Sequence, residues 1–177
     1  TAVGSSALIY NRDGYQNTAI GCRALEANQS GSNNAAVGDS SMGRNINGSS
    51  NAALGTGALQ KNTTGSQNTG SGGAALPNNT TGSRNTASGF LAGMNGTYEN
   101  AVYVGAYSQG TDGSTNEIVV GYDAIGNGSN TITLGNSEIQ RLYCNTTAIT
   151  ALSDRRIKED IEDADLERCL DTVKALK

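Results

Sequence analysis

The chain has 177 residues, a formal net charge of −4 and 24 glycines, but one Pro, one Phe and no Trp, so a thick aromatic core is excluded. It has no His, which removes imidazole catalysis and the commonest metal ligand. There is no basic stripe to give nucleic acid an electrostatic footing, no apolar run long enough to insert in a membrane, and no segment that reads as a signal peptide.

From Thr1 to about residue 136 the chain is a repeat. Gly4, Gly21, Gly38, Gly55, Gly72 and Gly89 stand 17 apart. Gly14, Gly31, Gly48, Gly65 and Gly82 keep the same period, and so do Asn17, Asn34, Asn51, Asn68 and Asn85. Beyond Gly89 the column continues at a looser spacing through Gly105, Gly121 and Gly135. Because the pattern begins in mid-unit at Thr1, it is expected to extend upstream. Periodicity of this kind is the signature of stacked coils.

Each unit predicts one β-solenoid coil. The residue before the first-column Gly is Val3, Ile20, Val37, Leu54, Ser71, Ser88, Val104, Val120 or Leu134. The residue before that is small through most of the array, as in Ala19, Ala36, Ala53, Gly70 and Ala87. Neighbours in a strand point to opposite faces, so one face is aliphatic and the other lets another layer of backbone come close. Three and four residues after the Gly comes a second pair, Ala7-Leu8, Ala24-Leu25, Ser41-Met42, Ala58-Leu59 and Ala75-Leu76, which fits a second short strand or a turn. A polar corner such as Asn28-Gln-Ser-Gly31 or Asn62-Thr-Thr-Gly65 closes the coil, where Gly is expected to supply a positive φ and Asn to bond its own backbone. A helical repeat is disfavoured by the Gly, Asn and Thr content.

A coil on this plan buries about two large aliphatics, at about 1.5–3 kcal/mol each, against an ordering cost of about 1–2 kcal/mol per residue. A lone coil therefore cannot stand, and the array is expected to complete its burial between chains, around a threefold axis. Ser71 and Ser88 interrupt the aliphatic column; on such an axis each gives a ring of three hydroxyls able to hold water or an ion. Cys22, Cys144 and Cys169 have no metal-ligand spacing and read as small buried or half-buried residues. Neither a cofactor nor a metal is implied. Asn-x-Ser/Thr triplets begin at Asn28, Asn47, Asn62, Asn78, Asn79, Asn95, Asn127 and Asn145, as expected of a composition so rich in these residues.

Residues 137–152 lose the glycines and read as an extended-strand junction carrying Ile139, Leu142, Tyr143, Ile149 and Leu152. Residues 153–177 are charged at first, and then place Leu166, Cys169, Leu170, Val173 and Leu176 on a helical stripe behind Asp165.

The Asn17-Thr-Ala-Ile-Gly21 and Asn34-Ala-Ala-Val-Gly38 units resemble the left-handed parallel β-roll heads of trimeric autotransporter adhesins, and similar units occur in viral and phage tail fibres. Ser153-Asp-Arg-Arg-Ile-Lys158 is similar to the Ser-Asp-x-Arg-x-Lys motif that opens the endosialidase-type intramolecular chaperone of phage fibres and spikes. That resemblance implies a homotrimer on a virion, assembled in the host cytoplasm. It also implies other virion proteins and a host receptor or glycan as partners, and a C-terminal domain that drives trimerisation and then cuts itself off. Carried over by position, Ser153 is the nucleophile and Lys158 the general base, with Asp154 and Arg156 positioning the bond. The only activity implied is this single-turnover self-cleavage, with no external substrate. Only residues 154–177 follow Ser153, whereas the family's domain is longer, so the sequence holds its beginning. The alternative is an adhesin head, a binding module without proteolysis.

Overall fold

The computed structural model describes residues 1–141. The chain divides into two units, Thr1–Gln140 and Arg141–Lys177, and the first is a parallel β-solenoid. Its strands are β1 (Ala2–Val3), β2 (Thr18–Ile20), β3 (Ala35–Val37), β4 (Ala52–Leu54), β5 (Thr69–Ser71), β6 (Thr86–Ser88), β7 (Val102–Val104), β8 (Ile118–Val120) and β9 (Ile132–Leu134). They form one sheet in chain order, every neighbouring pair parallel. The register follows the repeat: Ala19 faces Ala36, Ala36 faces Ala53, and Ala53 faces Gly70. No helix occurs among the described residues.

Hydrogen bonds join successive coils on every side. The Gly21 amide donates to the Val3 carbonyl at 2.8 Å along the sheet. Leu25 donates to Ser41 at 3.0 Å beyond the first turn, and Gln29 donates to Ile46 at 2.9 Å in the polar corner. The second small-large pair is a turn, in which Leu25, Met42, Leu59 and Leu76 hold φ near +50°. This left-handed conformation is costly for any residue with a Cβ. It repeats because each coil is laid on a neighbour that already has the same shape.

The two glycine columns serve different needs. First-column glycines from Gly4 to Gly121 have φ near +130°, and a Cβ on Gly21 would lie 2.5 Å from the Gly38 carbonyl oxygen one coil on. Second-column glycines do not take the positive φ expected of them; Gln16, Asn33, Ser50, Gln67 and Arg84 do so instead. Space is what makes glycine necessary there, since a Cβ on Gly31 or Gly48 would overlap the next coil's carbonyl and the amide of a corner Asn.

The strand faces also sort differently from a coil that buries two large aliphatics. The small column, Ala19, Ala36, Ala53 and Ala87, is fully buried, and the inward large residues are Leu25, Met42, Leu59 and Leu76. The Val/Ile/Leu column before the glycine points outward and stays exposed on the chain, with Leu54 at 49%, except Val120, which is half-buried. The cross-section is too thin to hold both columns, and Ala is the side chain that lets the opposite wall close.

Asparagine fills the rest of the interior, in two ladders. In one, the Asn28, Asn45 and Asn62 amides each donate to the Asn one coil back, at 2.6, 2.7 and 2.8 Å. They also donate to the Gly31, Gly48 and Gly65 carbonyls, each at 2.9 Å. In the other, the backbone N–H of Asn34, Asn51 and Asn68 donates to the side-chain oxygen of the preceding rung at 2.9–3.0 Å. No buried side-chain polar atom among the described residues lacks a partner. Asn28, Asn62 and Asn79, although each begins an Asn-x-Ser/Thr triplet, are fully buried rungs, so the folded coil withholds them from glycan transfer.

Asn62→Asp tests the ladder, because the isosteric carboxylate cannot donate to Asn45 Oδ1 or the Gly65 carbonyl. We expect a loss of about 3 kcal/mol in urea unfolding. Asn47→Asp, on the exposed side of the preceding coil's corner, should change stability by under about 0.5 kcal/mol.

Candidate interaction surface

The outward side of the sheet is made by the first and third residue of each strand. Column three runs Val3, Ile20, Val37, Leu54, Ser71, Ser88, Val104, Val120 and Leu134. Column one runs Thr18, Ala35, Ala52, Thr69, Thr86, Val102, Ile118 and Ile132. Neither column holds a charged residue in any coil. The charges lie on the turns and corners, where Arg23 meets Asp39 at 3.8 Å and Arg84 pairs with Glu99. An apolar, charge-free strip bordered by charged edges has the composition of an interface core with a polar rim. Ser71 and Ser88 do not turn away from it: Leu54, Ser71, Ser88 and Val104 pair in unbroken register.

A row of rings stands beside the strip at its C-terminal end. Phe90 and Tyr107 meet edge-to-face at 5.5 Å and 78°, and Tyr107 and Tyr122 at 5.9 Å and 84°. Cys22 is exposed, contrary to the expectation of burial, because the residue after a first-column Gly lies on the outer side of the turn. Cys144, Cys169 and the predicted self-cleavage residues Ser153, Asp154, Arg156 and Lys158 lie outside the described residues, as do residues 142–152 of the junction and the C-terminal helical stripe. Ser137 and Glu138, at the head of that junction, form a turn. Among the described residues no three His, Cys, Asp or Glu side chains come together as a metal site.

The buried titratable groups are gathered where the coil shortens. β6 to β7 and β7 to β8 are 16 residues apart, and β8 to β9 is 14, as Ala87 pairs Tyr103, Tyr103 pairs Val119 and Val119 pairs Thr133. Tyr103 enters the column of alanines, and Gly93, standing where other coils have Leu or Met, makes room: a Cβ there would lie 2.8 Å from the ring. Tyr98 closes both ladders, donating its N–H to Asn79 Oδ1 at 3.2 Å and accepting the Asn85 amide on its carbonyl at 2.6 Å. Beyond them Glu117 is fully buried. Its carboxylate accepts from the Tyr103 hydroxyl at 3.0 Å, the Ser114 hydroxyl at 2.6 Å, and the amides of Thr111 at 3.1 Å and Gly128 at 2.8 Å. Sequence reasoning overlooked this cluster, although the exchange of Leu for Gly at 93 and of Ala for Tyr at 103 marks it.

No protein family, no curated protein and no solved structure matches the chain.

Burial pushes the Tyr98 phenol up to about 12. Tyr103 is raised too, by burial first and then, against the lowering effect of the Ser114 hydrogen bond, by the charge of Glu117. Both phenols are thus harder to ionise folded than unfolded, where a tyrosine titrates near about 10. The stability they contribute is complete below about pH 10 and falls as pH rises above it, the Tyr98 share being lost through about 12. Urea midpoints should hold up to about pH 10 and then fall, and Tyr98→Phe should flatten the fall. Glu117→Gln puts an amide N–H₂ or a weaker acceptor against four donors, and should cost about 2 kcal/mol at neutral pH.

Proposed function

We propose that the chain is a segment of a parallel homotrimeric viral fibre or spike that serves host attachment, its solenoid forming the stalk. The observation that carries this reading is the uncharged outward sheet face. On one chain its third column carries an aliphatic residue in seven of nine coils, exposed in six of them and half-buried at Val120; packed around a common axis, copies would bury it. Solenoid coils have no other neighbour to offer, since each contacts only the coil before and after it.

The C-terminal segment begins an intramolecular chaperone, a reading supported by Ser153-Asp-Arg-Arg-Ile-Lys158. In this reading Lys158 takes the hydroxyl proton of Ser153. The oxygen attacks the Leu152 carbonyl carbon, and the nitrogen of the Leu152–Ser153 bond leaves, protonated, to give an ester. Water then hydrolyses the ester, freeing the Leu152 carboxylate and regenerating the serine hydroxyl. Lysine can serve as base when burial disfavours its ammonium, against the opposing influence of Glu159 and Asp160. The repeat units also suit a trimeric adhesin head, which would share the sheet face and lack the cleavage.

Two measurements test the proposal. Sedimentation should give an elongated particle of about three times 18.1 kDa, and Leu54→Lys, which adds a charge to the outward column, should give a folded monomer with unchanged β-sheet circular dichroism. A compact monomer from the unmodified chain would overturn the assembly. For the self-cleavage, the complete gene product should yield a fragment ending at Leu152 by mass spectrometry. Ser153→Ala and Lys158→Ala should leave an intact chain that still trimerises, whereas Arg156→Ala should only slow the cut. Uncleaved wild-type trimers would leave the adhesin reading.

A further inference from the structure

The sheet face contains a block of four hydroxyls, Thr69 and Ser71 on β5 with Thr86 and Ser88 on β6. Leu54 borders it on one side, and Val102 and Val104 on the other. None of these four side chains is hydrogen-bonded within the described residues. Elsewhere the chain uses its hydroxyls between coils: Ser32, Ser49, Ser66 and Ser83 each accept the backbone N–H of the residue 17 before, at 3.0–3.1 Å. The block is therefore left free on the one face that carries no charge.

We propose that this block sets the axial register of the assembled copies, with a second and a third copy of this chain as the occupants of the face. The inference rests on the assembly reading above. A repeat poses a register problem to its own oligomer. Coils two to four present Thr18/Ile20, Ala35/Val37 and Ala52/Leu54, so a copy displaced by one coil, about 4.8 Å, would still lay aliphatic against aliphatic. The bulkier Ile118 and Ile132 of the last coils would also still meet apolar neighbours, Val102 and Ile118. Only the hydroxyl block distinguishes the alignments. In register, hydroxyls from all copies stand at the same two levels and can pair or share water. Displaced by one coil, Ser71 of one copy faces Leu54 of another, and Ser88 faces Val104, leaving buried hydroxyls without partners at both edges of the block. A single polar layer fixes the alignment of coiled-coil strands by the same logic.

The test is cross-linking in the full chain with its cysteines removed (C22S, C144S, C169S). Chains carrying I20C and chains carrying V37C are co-expressed and treated with a short bis-maleimide. Aligned copies give I20C–I20C and V37C–V37C products; a one-coil displacement gives I20C–V37C. With the native block, same-residue products should exceed mixed ones by about tenfold or more. Replacing the block by T69V, S71V, T86V and S88V should bring that ratio down toward about one while the oligomer persists, and S71T with S88T should keep the native ratio. Circular dichroism confirms the coil, and T69V, S71A, T86V and S88A together serve as a milder variant that removes the same four hydroxyls. A ratio unchanged in every hydroxyl-free oligomer overturns the register role and leaves the assembly standing. A native chain that sediments as a monomer overturns both.

Discussion

Pairing each polar group with its own copy one coil away is the interaction on which the structure depends. The solenoid has too small a cross-section to seal a thick apolar core around its turns. Its interior is instead a column of alanines, a column of Leu and Met, and two asparagine ladders. Each ladder amide holds a glycine carbonyl of a corner and the next rung together, so one side chain both closes its own coil and fastens it to its neighbour. A rung lost from the middle leaves partners unsatisfied above and below it, in a place water cannot easily reach. Coil shape follows from the same rule. The left-handed turn residues and the overlap-limited glycines are acceptable only because every coil copies the one it lies on.

The ends of the ladders show what is needed to change such an array. Asparagine cannot simply stop, because the last rung would present unpaired groups to the interior. Tyr98 supplies both the donor for Asn79 and the acceptor for Asn85, and the Ala101 amide satisfies Asn85 Oδ1 at 2.9 Å. With the ladder closed, the coil shortens and its interior is refilled by Tyr98, Tyr103 and Val119 around the carboxylate of Glu117. The Tyr98 and Tyr103 rings pack 4.6 Å apart. The polar economy of the asparagines is thus handed to one carboxylate with four donors, which is why a buried acid can sit here without a cation.

Turning the alanines inward has a consequence for what the molecule can do. Every branched aliphatic of the strands except Val119 then faces outward, in a strip free of charge, while the charged residues are kept to the turns and corners. A chain built this way is an incomplete object, with its own interior satisfied and its strongest apolar surface still in water. That combination suits a protomer whose final burial is made with copies of itself, and it is the physical basis for the fibre reading.

Much of this was legible in the residues. A period of 17, the parallel coils and the polar corner all follow from Gly21, Gly31 and Asn34 recurring in register, because only stacked backbone demands the same residue at the same place in each unit. The tertiary structure decided what alternation leaves undetermined. A strand pattern states that Ala19 and Ile20 lie on opposite faces, but not which is inside; that depended on the distance to the opposite wall, already occupied by Leu25. The reason for glycine at 31 was likewise hidden, since a want of space and a want of positive φ leave the same letter in the sequence. The Asn28 ladder was masked by its own corner, where asparagine is ordinary in any turn, and only stacking turns it into a rung. Sequence states which residues repeat; the closeness of two walls states which of them must be small.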